Sequence, residues 1–195
     1  MQQAAAGAVG EALAIEDVFS TYLYTGNGST QTITNGIDLA GEGGLVWIKK
    51  RNGTTTHCLV DSERGDGKML QSNSTDAEID NSGYAQSLNS DGFTVYNWTT
   101  VNNSPDTYAS WTFRKAPRFF DVVTYTGTGS ARTVSHNLGL APGCIMVKKT
   151  SSVSDWRVYH RSNTANPETD YLQLNGTAST VDDNTLWNDL SLIHI

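Results

Sequence analysis

The chain has 195 residues, of which 37% are hydrophobic and 17% charged, and its formal net charge is −7. Charges are too few and apolar residues too many for a disordered acidic tail. The basic residues are scattered and offer no face for nucleic acid, and no apolar run approaches the length of a membrane span, so neither nucleic acid nor membrane insertion is expected.

The opening segment MQQAAAGAVGEALAIED (1–17) lacks the basic start and long apolar middle of a secretory signal and reads as a short helix or linker. Residues 19–25 then alternate, with Phe19, Thr21 and Leu23 on one side and Ser20, Tyr22 and Tyr24 on the other. Gly26-Asn27-Gly28 follows, and then a β-rich run over 29–34, which together predict a hairpin. A phosphate-cradling reading of Gly-x-Gly would need a following helix, and the sequence has none there. LVWI (45–48) is a continuous apolar run that predicts a central strand buried on both faces, with Lys49-Lys50 marking its exit from the core. Further strands are expected over 57–60, 93–98 and 108–113, and Pro117 reads as a linker.

Beyond Pro117 the pattern starts again. YTGNGSTQTI (24–33) matches YTGTGSARTV (125–134) at an offset of 101. Lys49-Lys50 matches Lys148-Lys149 at an offset of 99, the two missing residues falling in the Gly-rich loop 40–44. HCLVDSERG (57–65) lies opposite WRVYHRSN (156–163), and MLQSN (69–73) opposite YLQLN (171–175). Gly127-Thr128-Gly129 is expected to turn a hairpin like its counterpart, and CIMV (144–147) to form a buried central strand like LVWI. DGFTVYNW (91–98) and TYASWTFRKA (107–116) have no equivalent later in the chain. The expected organisation is a linker or helix over 1–17, a first unit over 18–116 and a truncated second unit over 117–195. The terminal SLIHI has no counterpart and resembles translated adapter sequence of the kind found in metagenomic assemblies, so residues 190–195 are treated as non-native. The expected fold class is all-β: two tandem sandwich or jelly-roll-like repeats, the second incomplete.

Several residues are candidates for chemistry. Asp61, Glu63, Arg64, Asp66 and Lys68 crowd into one loop, but their spacing lacks the ligand ladder and closing Glu of a calcium loop, so a solvated charged turn with local ion pairs is expected and no metal. Asp61 and Glu63 could share a strand face as an acid and base pair, yet the corresponding positions at an offset of 99 are His160 and Ser162. His57, His136, His160 and His194 show no metal spacing, and His136 is expected to be a turn residue. Cys58 and Cys144 make no disulfide framework. Tyr84, Tyr96, Trp98, Tyr108, Trp111 and Trp156 could stack on sugar rings, although strand spacing makes core packing the simpler role. Trp98, at a strand end, is the strongest ligand-contact candidate, with Asp61 and Arg64 beside it on the list. No catalytic residue and no cofactor site is recognised, and no enzymatic activity is expected.

The motifs Y-T-G-x-G-S (24–29 and 125–130), H-N-L-G-L-A-P-G (136–143), D-S-E-R-G (61–65), L-Q-S-N-S-T-D-A-E (70–78), L-N-S-D-G-F-T-V (88–95) and T-Y-A-S-W-T-F-R-K-A (107–116) occur in the order of a family that they resemble. It is the repeated β-domain of tail-fibre and other virion structural proteins of marine bacteriophages. The resemblance implies a virion component in a tail fibre, taking part in host adsorption, with other tail proteins as partners, a homotrimeric state, and a host-surface glycan or receptor as ligand. It carries over no functional residue. The alternatives are a carbohydrate-binding β-sandwich module without catalysis and, third, a polysaccharide-degrading tail enzyme.

Overall fold

A computed structural model describes residues 13–80 and 87–187. Residues 1–12, which hold most of the expected N-terminal helix or linker, lie outside the described residues, as do Tyr84, His194 and 190–195.

The chain enters through a 3-10 turn at Ile15–Asp17 and runs through β1 (Phe19–Thr25), β2 (Gln31–Thr34), β3 (Gly44–Lys50), β4 (Cys58–Asp61), β5 (Lys68–Met69), β6 (Ile79–Asp80), β7 (Ser87–Asn89) and β8 (Gly92–Val95). One helical turn, α1 (Thr99–Asn102), precedes β9 (Thr107–Arg114). These strands build two main antiparallel sheets, in the orders β1-β9-β3-β4 and β2-β8-β7, with the small pair β5-β6 joined through a Leu59–Leu70 bridge. The architecture is all-β and sandwich-like.

Strand alternation sends each strand's side chains to opposite faces. On the inner face, Val46, Ile48, Cys58 and Val60 meet Ile33, Phe93 and Val95 from the second sheet, with Tyr24 and Tyr108 closing the cluster. On the outer face, Leu45, Trp47, Leu59 and Phe113 form a second apolar layer. A strand covered on both faces needs apolar residues at consecutive positions, and this accounts for LVWI in β3.

β9 is the keystone of this half. Its residues 107–113 pair with β1, and its residues 108–114 pair with β3, so Ser110 stands between Tyr22 and Ile48. Tyr108 is fully buried, its ring stacks on Tyr24 at 5.1 Å, and its hydroxyl donates to the carbonyl of Thr99.

The expected hairpin between β1 and β2 does not form. β1 pairs with β9 and β2 with β8, in different sheets. Gly26-Asn27-Gly28 is a corner between layers, held by the Gly26 N–H donating to Asp106 O and the Gly28 N–H to Asn102 O. Long-range pairing supplies both strands with better partners than each other.

The later stretch contains β10 (Cys144–Val147), β11 (Arg157–His160), a 3-10 turn at Pro167–Thr169, β12 (Asp170–Gln173) and β13 (Val181–Asp182), in one sheet of that order. Its pairings reproduce those of the first stretch. Val158–Leu172 repeats Leu59–Leu70, at offsets of 158 − 59 = 99 and 172 − 70 = 102. Asp170–Asp182 and Tyr171–Val181 repeat Lys68–Asp80 and Met69–Ile79 at an offset of 102. Side-chain bonds recur too: Asn73 Oδ1 accepts from the His57 N–H, and Asn175 Oδ1 from the Trp156 N–H.

Two expectations for this stretch are corrected. Residues 121–137 contain no strand, so Gly127-Thr128-Gly129 turns no hairpin. β10 is an edge strand of alternating exposure rather than a buried central one. Both have one cause: among the described residues, the later stretch has no counterpart of β8 and β9, the strands that pair with β2, β1 and β3.

Candidate functional site

The charged loop after β4 is where the sequence concentrates chemistry. Asp61 ends β4 on the outer face and is 3% exposed. Its Oδ1 accepts the N–H groups of Glu63 and Arg64, at 3.1 and 2.9 Å, which shapes the turn. Its Oδ2 accepts from Arg64 Nε at 2.6 Å. The Arg64 guanidinium also donates to Glu78 Oε2 and to the carbonyl of Leu59, both at 3.1 Å. The loop was expected to be a solvated charged turn; instead its central pair is buried, with Arg64 spanning two carboxylates and a backbone oxygen. A buried charge is tolerated only when paired and hydrogen-bonded, and here each partner saturates the other. Asp61 and Arg64 therefore hold the turn together and offer little to a ligand.

Glu63 points elsewhere. It accepts from Lys115 Nζ at 2.5 Å, and Lys115 also lies 3.5 Å from Asp121. The hydrogen bond to Glu63, with the two carboxylates' charges, raises the Lys115 pKa and keeps it cationic. Lys115 thus ties the charged loop to the first residues after Pro117. Asp61 and Glu63 do not face a shared opening as an acid and base pair would.

Trp98 is half-buried and packs against the main core. Its carbonyl accepts the N–H groups of Val101 and Asn102, which begins α1. His57 Nδ1 accepts from Trp47 Nε1 at 2.8 Å. Burial first, and the charge of Lys49 second, lower the His57 pKa and favour the neutral form that this bond requires. His136 Nδ1 accepts the Leu138 N–H within its own turn. Cys58 is buried and Cys144 exposed, and neither is in a disulfide. Among the described residues, no group of three His, Cys, Asp or Glu residues is placed to hold a metal, and no helix is long and apolar enough to cross a membrane.

A residue that sequence reasoning treated as one aromatic among several turns out to join the two stretches. Trp156 is buried against Leu45, Leu59 and Leu70, with Trp47, Phe113, Phe120, Val122 and Leu174 around it. Its indole N–H donates to Gln71 O at 2.9 Å. Backbone bonds line the same seam: Glu78 N–H to Thr150 O and Ser154 N–H to Thr75 O, both at 2.9 Å. The signal was present in the sequence. Trp156 stands at the offset of His57, a polar position replaced by the largest apolar side chain.

The family model of DUF7483, a domain of unknown function, matches residues 15–194. Neither curated proteins nor solved structures gave a match.

Proposed function

The chain belongs to the DUF7483 family, and we propose that it is a structural segment of a virion, in a bacteriophage tail fibre that displays loops to a host surface. The observation that carries this reading is the seam between the two stretches. One apolar layer, centred on Trp156, is shared by strands from both, so tandem units pack as one block rather than as beads on a linker. Stacked blocks of this kind suit a stiff rod. The candidate polar residues support the same reading, since Asp61, Arg64, His57, His136 and His160 hold turns and strand ends. The resemblance to virion β-domains supplies the setting, the neighbouring tail proteins as partners, and the trimer.

Light scattering coupled to size exclusion tests the assembly. The expected mass is three times the 21.1 kDa of the chain, since a thin β-unit buries little core alone. A single-chain mass across the accessible concentration range contradicts the fibre reading.

A further inference from the structure

Asn-Gly steps occur at 27–28, 35–36, 52–53 and 175–176. Glycine has no Cβ to shield its backbone nitrogen, so that nitrogen can close on the amide carbon of the asparagine before it. Whether it does depends on what holds the two partners, and the fold holds the four steps differently.

At the first step the Gly28 N–H donates to Asn102 O, and Asn27 Oδ1 accepts from the Ser29 N–H and from Asn102 Nδ2. At the second the Gly36 N–H donates to Asp91 O, while the Asn35 side chain donates to Thr112 Oγ1 and accepts the Ile37 N–H. Both glycine nitrogens are committed, and both amides are locked in place. At the fourth step the Gly176 N–H is uncommitted, but Asn175 is half-buried and held at both ends. Its Oδ1 accepts the Trp156 N–H at 2.8 Å and its Nδ2 donates to Asp155 at 2.9 Å.

Asn52 differs from all three. It is exposed in the turn between β3 and β4, and among the described residues the Gly53 N–H donates to no acceptor. Asn52 Oδ1 accepts the Thr107 N–H at 3.1 Å, which draws electrons from the amide carbon, and Nδ2 donates to Asp106 Oδ1 at 3.3 Å. Two ammonium groups bracket Gly53. Lys49 Nζ donates to its carbonyl at 2.9 Å, and a side chain placed at Gly53 would stand 3.2 Å from Lys50 Nζ. Positive charge there favours the amide anion that must form before attack.

We propose that Asn52 is a self-modification site, where the chain converts its own asparagine to aspartate and isoaspartate. The Gly53 nitrogen gives its proton to hydroxide and attacks Asn52 Cγ. The new C–N bond closes a succinimide, and the Cγ–Nδ2 bond breaks, with Nδ2 taking a proton from water and leaving as ammonia. Water then opens the ring at either carbonyl. One opening restores the ordinary backbone with aspartate at position 52; the other leaves isoaspartate, which adds a methylene to the backbone of the turn. Either product lowers the formal charge by one from −7. Asp106 loses an amide donor and gains a carboxylate neighbour, with Lys50, 2.6 Å away, to offset both. The Arg51 N–H to Thr107 O bond beside it, at 2.7 Å, continues the β3–β9 ladder at this end, and the modified turn loosens it. The inference stands apart from the virion reading.

The test holds the full chain at mildly alkaline pH and follows each Asn-Gly peptide by mass spectrometry as amide becomes acid. In the folded chain Asn52 is expected to convert first, Asn175 more slowly, and Asn27 and Asn35 last. In urea the four lose their different surroundings and keep the same dipeptide, so their rates are expected to converge. Gly53→Ala is expected to slow Asn52 several-fold and leave the other three unchanged, since a Cβ hinders the attacking nitrogen. Asn52→Asp supplies one product directly and is expected to speed exchange of the Arg51 amide relative to the amides of mid-β3. Conversion of Asn27 or Asn35 that keeps pace with Asn52 in the folded chain overturns the proposal. So does an Asn52 that stays an amide in the folded chain over the time in which the chain in urea converts. An Arg51 amide equally protected in Asn52→Asp overturns the loosening of the ladder.

Discussion

Trp156→Ala is expected to destabilise the chain by about 3–5 kcal/mol, the range for truncating a buried Trp, and to uncouple the two stretches. The ring fills the centre of the apolar layer formed by Leu45, Leu59 and Leu70, so truncation leaves a cavity that neighbours on β3, β4 and the Leu70 bridge cannot close together. It also removes the donor to Gln71 O, which costs less because that carbonyl then becomes accessible to water. The second stretch depends on this contact more than the first. Its own cluster of Tyr159, Tyr171 and Trp187 is small, and one four-stranded sheet with an open edge is marginal without support. Urea unfolding followed by tryptophan fluorescence should show the single transition of the native chain splitting into two. Trp156→Phe, which keeps most of the apolar area, should fall between. A loss below about 1 kcal/mol in Trp156→Ala, within the range of ordinary surface changes, would mean that the seam is not where the stretches are joined.

Arg64→Ala is expected to cost about 3–5 kcal/mol, the penalty for leaving a buried charge unpaired. Asp61 is 3% exposed, and the Arg64 side chain is nearly as deep. Removing the guanidinium strips Asp61 Oδ2 and Glu78 Oε2 of their donor and leaves the Leu59 carbonyl without its side-chain partner. The Asp61 Oδ1 bonds to the backbone of Glu63 and Arg64 would survive, so the turn is expected to stay formed while the packing beneath it weakens. The double change Asp61→Asn with Arg64→Met should recover part of the loss, because no uncompensated charge is then buried at Asp61 and Met retains much of the Arg stem's packing. The midpoint of urea unfolding reads both. A double variant no more stable than Arg64→Ala would show that the ion pair's contribution is specific rather than a matter of charge compensation.

The parts of this fold that were legible in the sequence are those set by local pattern. LVWI announced a strand covered on both faces, and 108–113 announced the strand that proves to be β9. The repeat was legible because side chains and spacing recur together, from the YTG motif to the lysine pair. What was not legible was pairing. Gly26-Asn27-Gly28 has the composition of a hairpin turn, but a turn's residues cannot reveal that each flanking strand has a stronger partner some 60 to 90 residues away, as Thr32 has in Thr94 and Tyr22 in Ser110. Nor could CIMV be told from LVWI by composition. The same kind of apolar run is central in one stretch and an edge in the other, because its environment is set by a strand far along the chain. At the candidate site, the Asp61–Arg64 spacing disclosed an ion pair but not its burial, which comes from Glu78 and the outer apolar layer folding over it. Trp156 was seen as an aromatic and missed as a joint, since its local pattern looks like that of any core tryptophan and only comparison with His57 at the repeat offset marks it.

The central claim is that, among the described residues, β10 lacks the second neighbour that β9 gives β3, and native-state hydrogen exchange tests it most directly. β3 and β10 have the same position in the repeat, and each pairs on one side with the next strand, β4 or β11. The account predicts that the amides of β3 facing β9 exchange only by global unfolding, whereas the corresponding amides of β10 exchange orders of magnitude faster, through local access at a free edge. Equal protection of the two sets would contradict it, for it would mean that β10 is paired on both sides already.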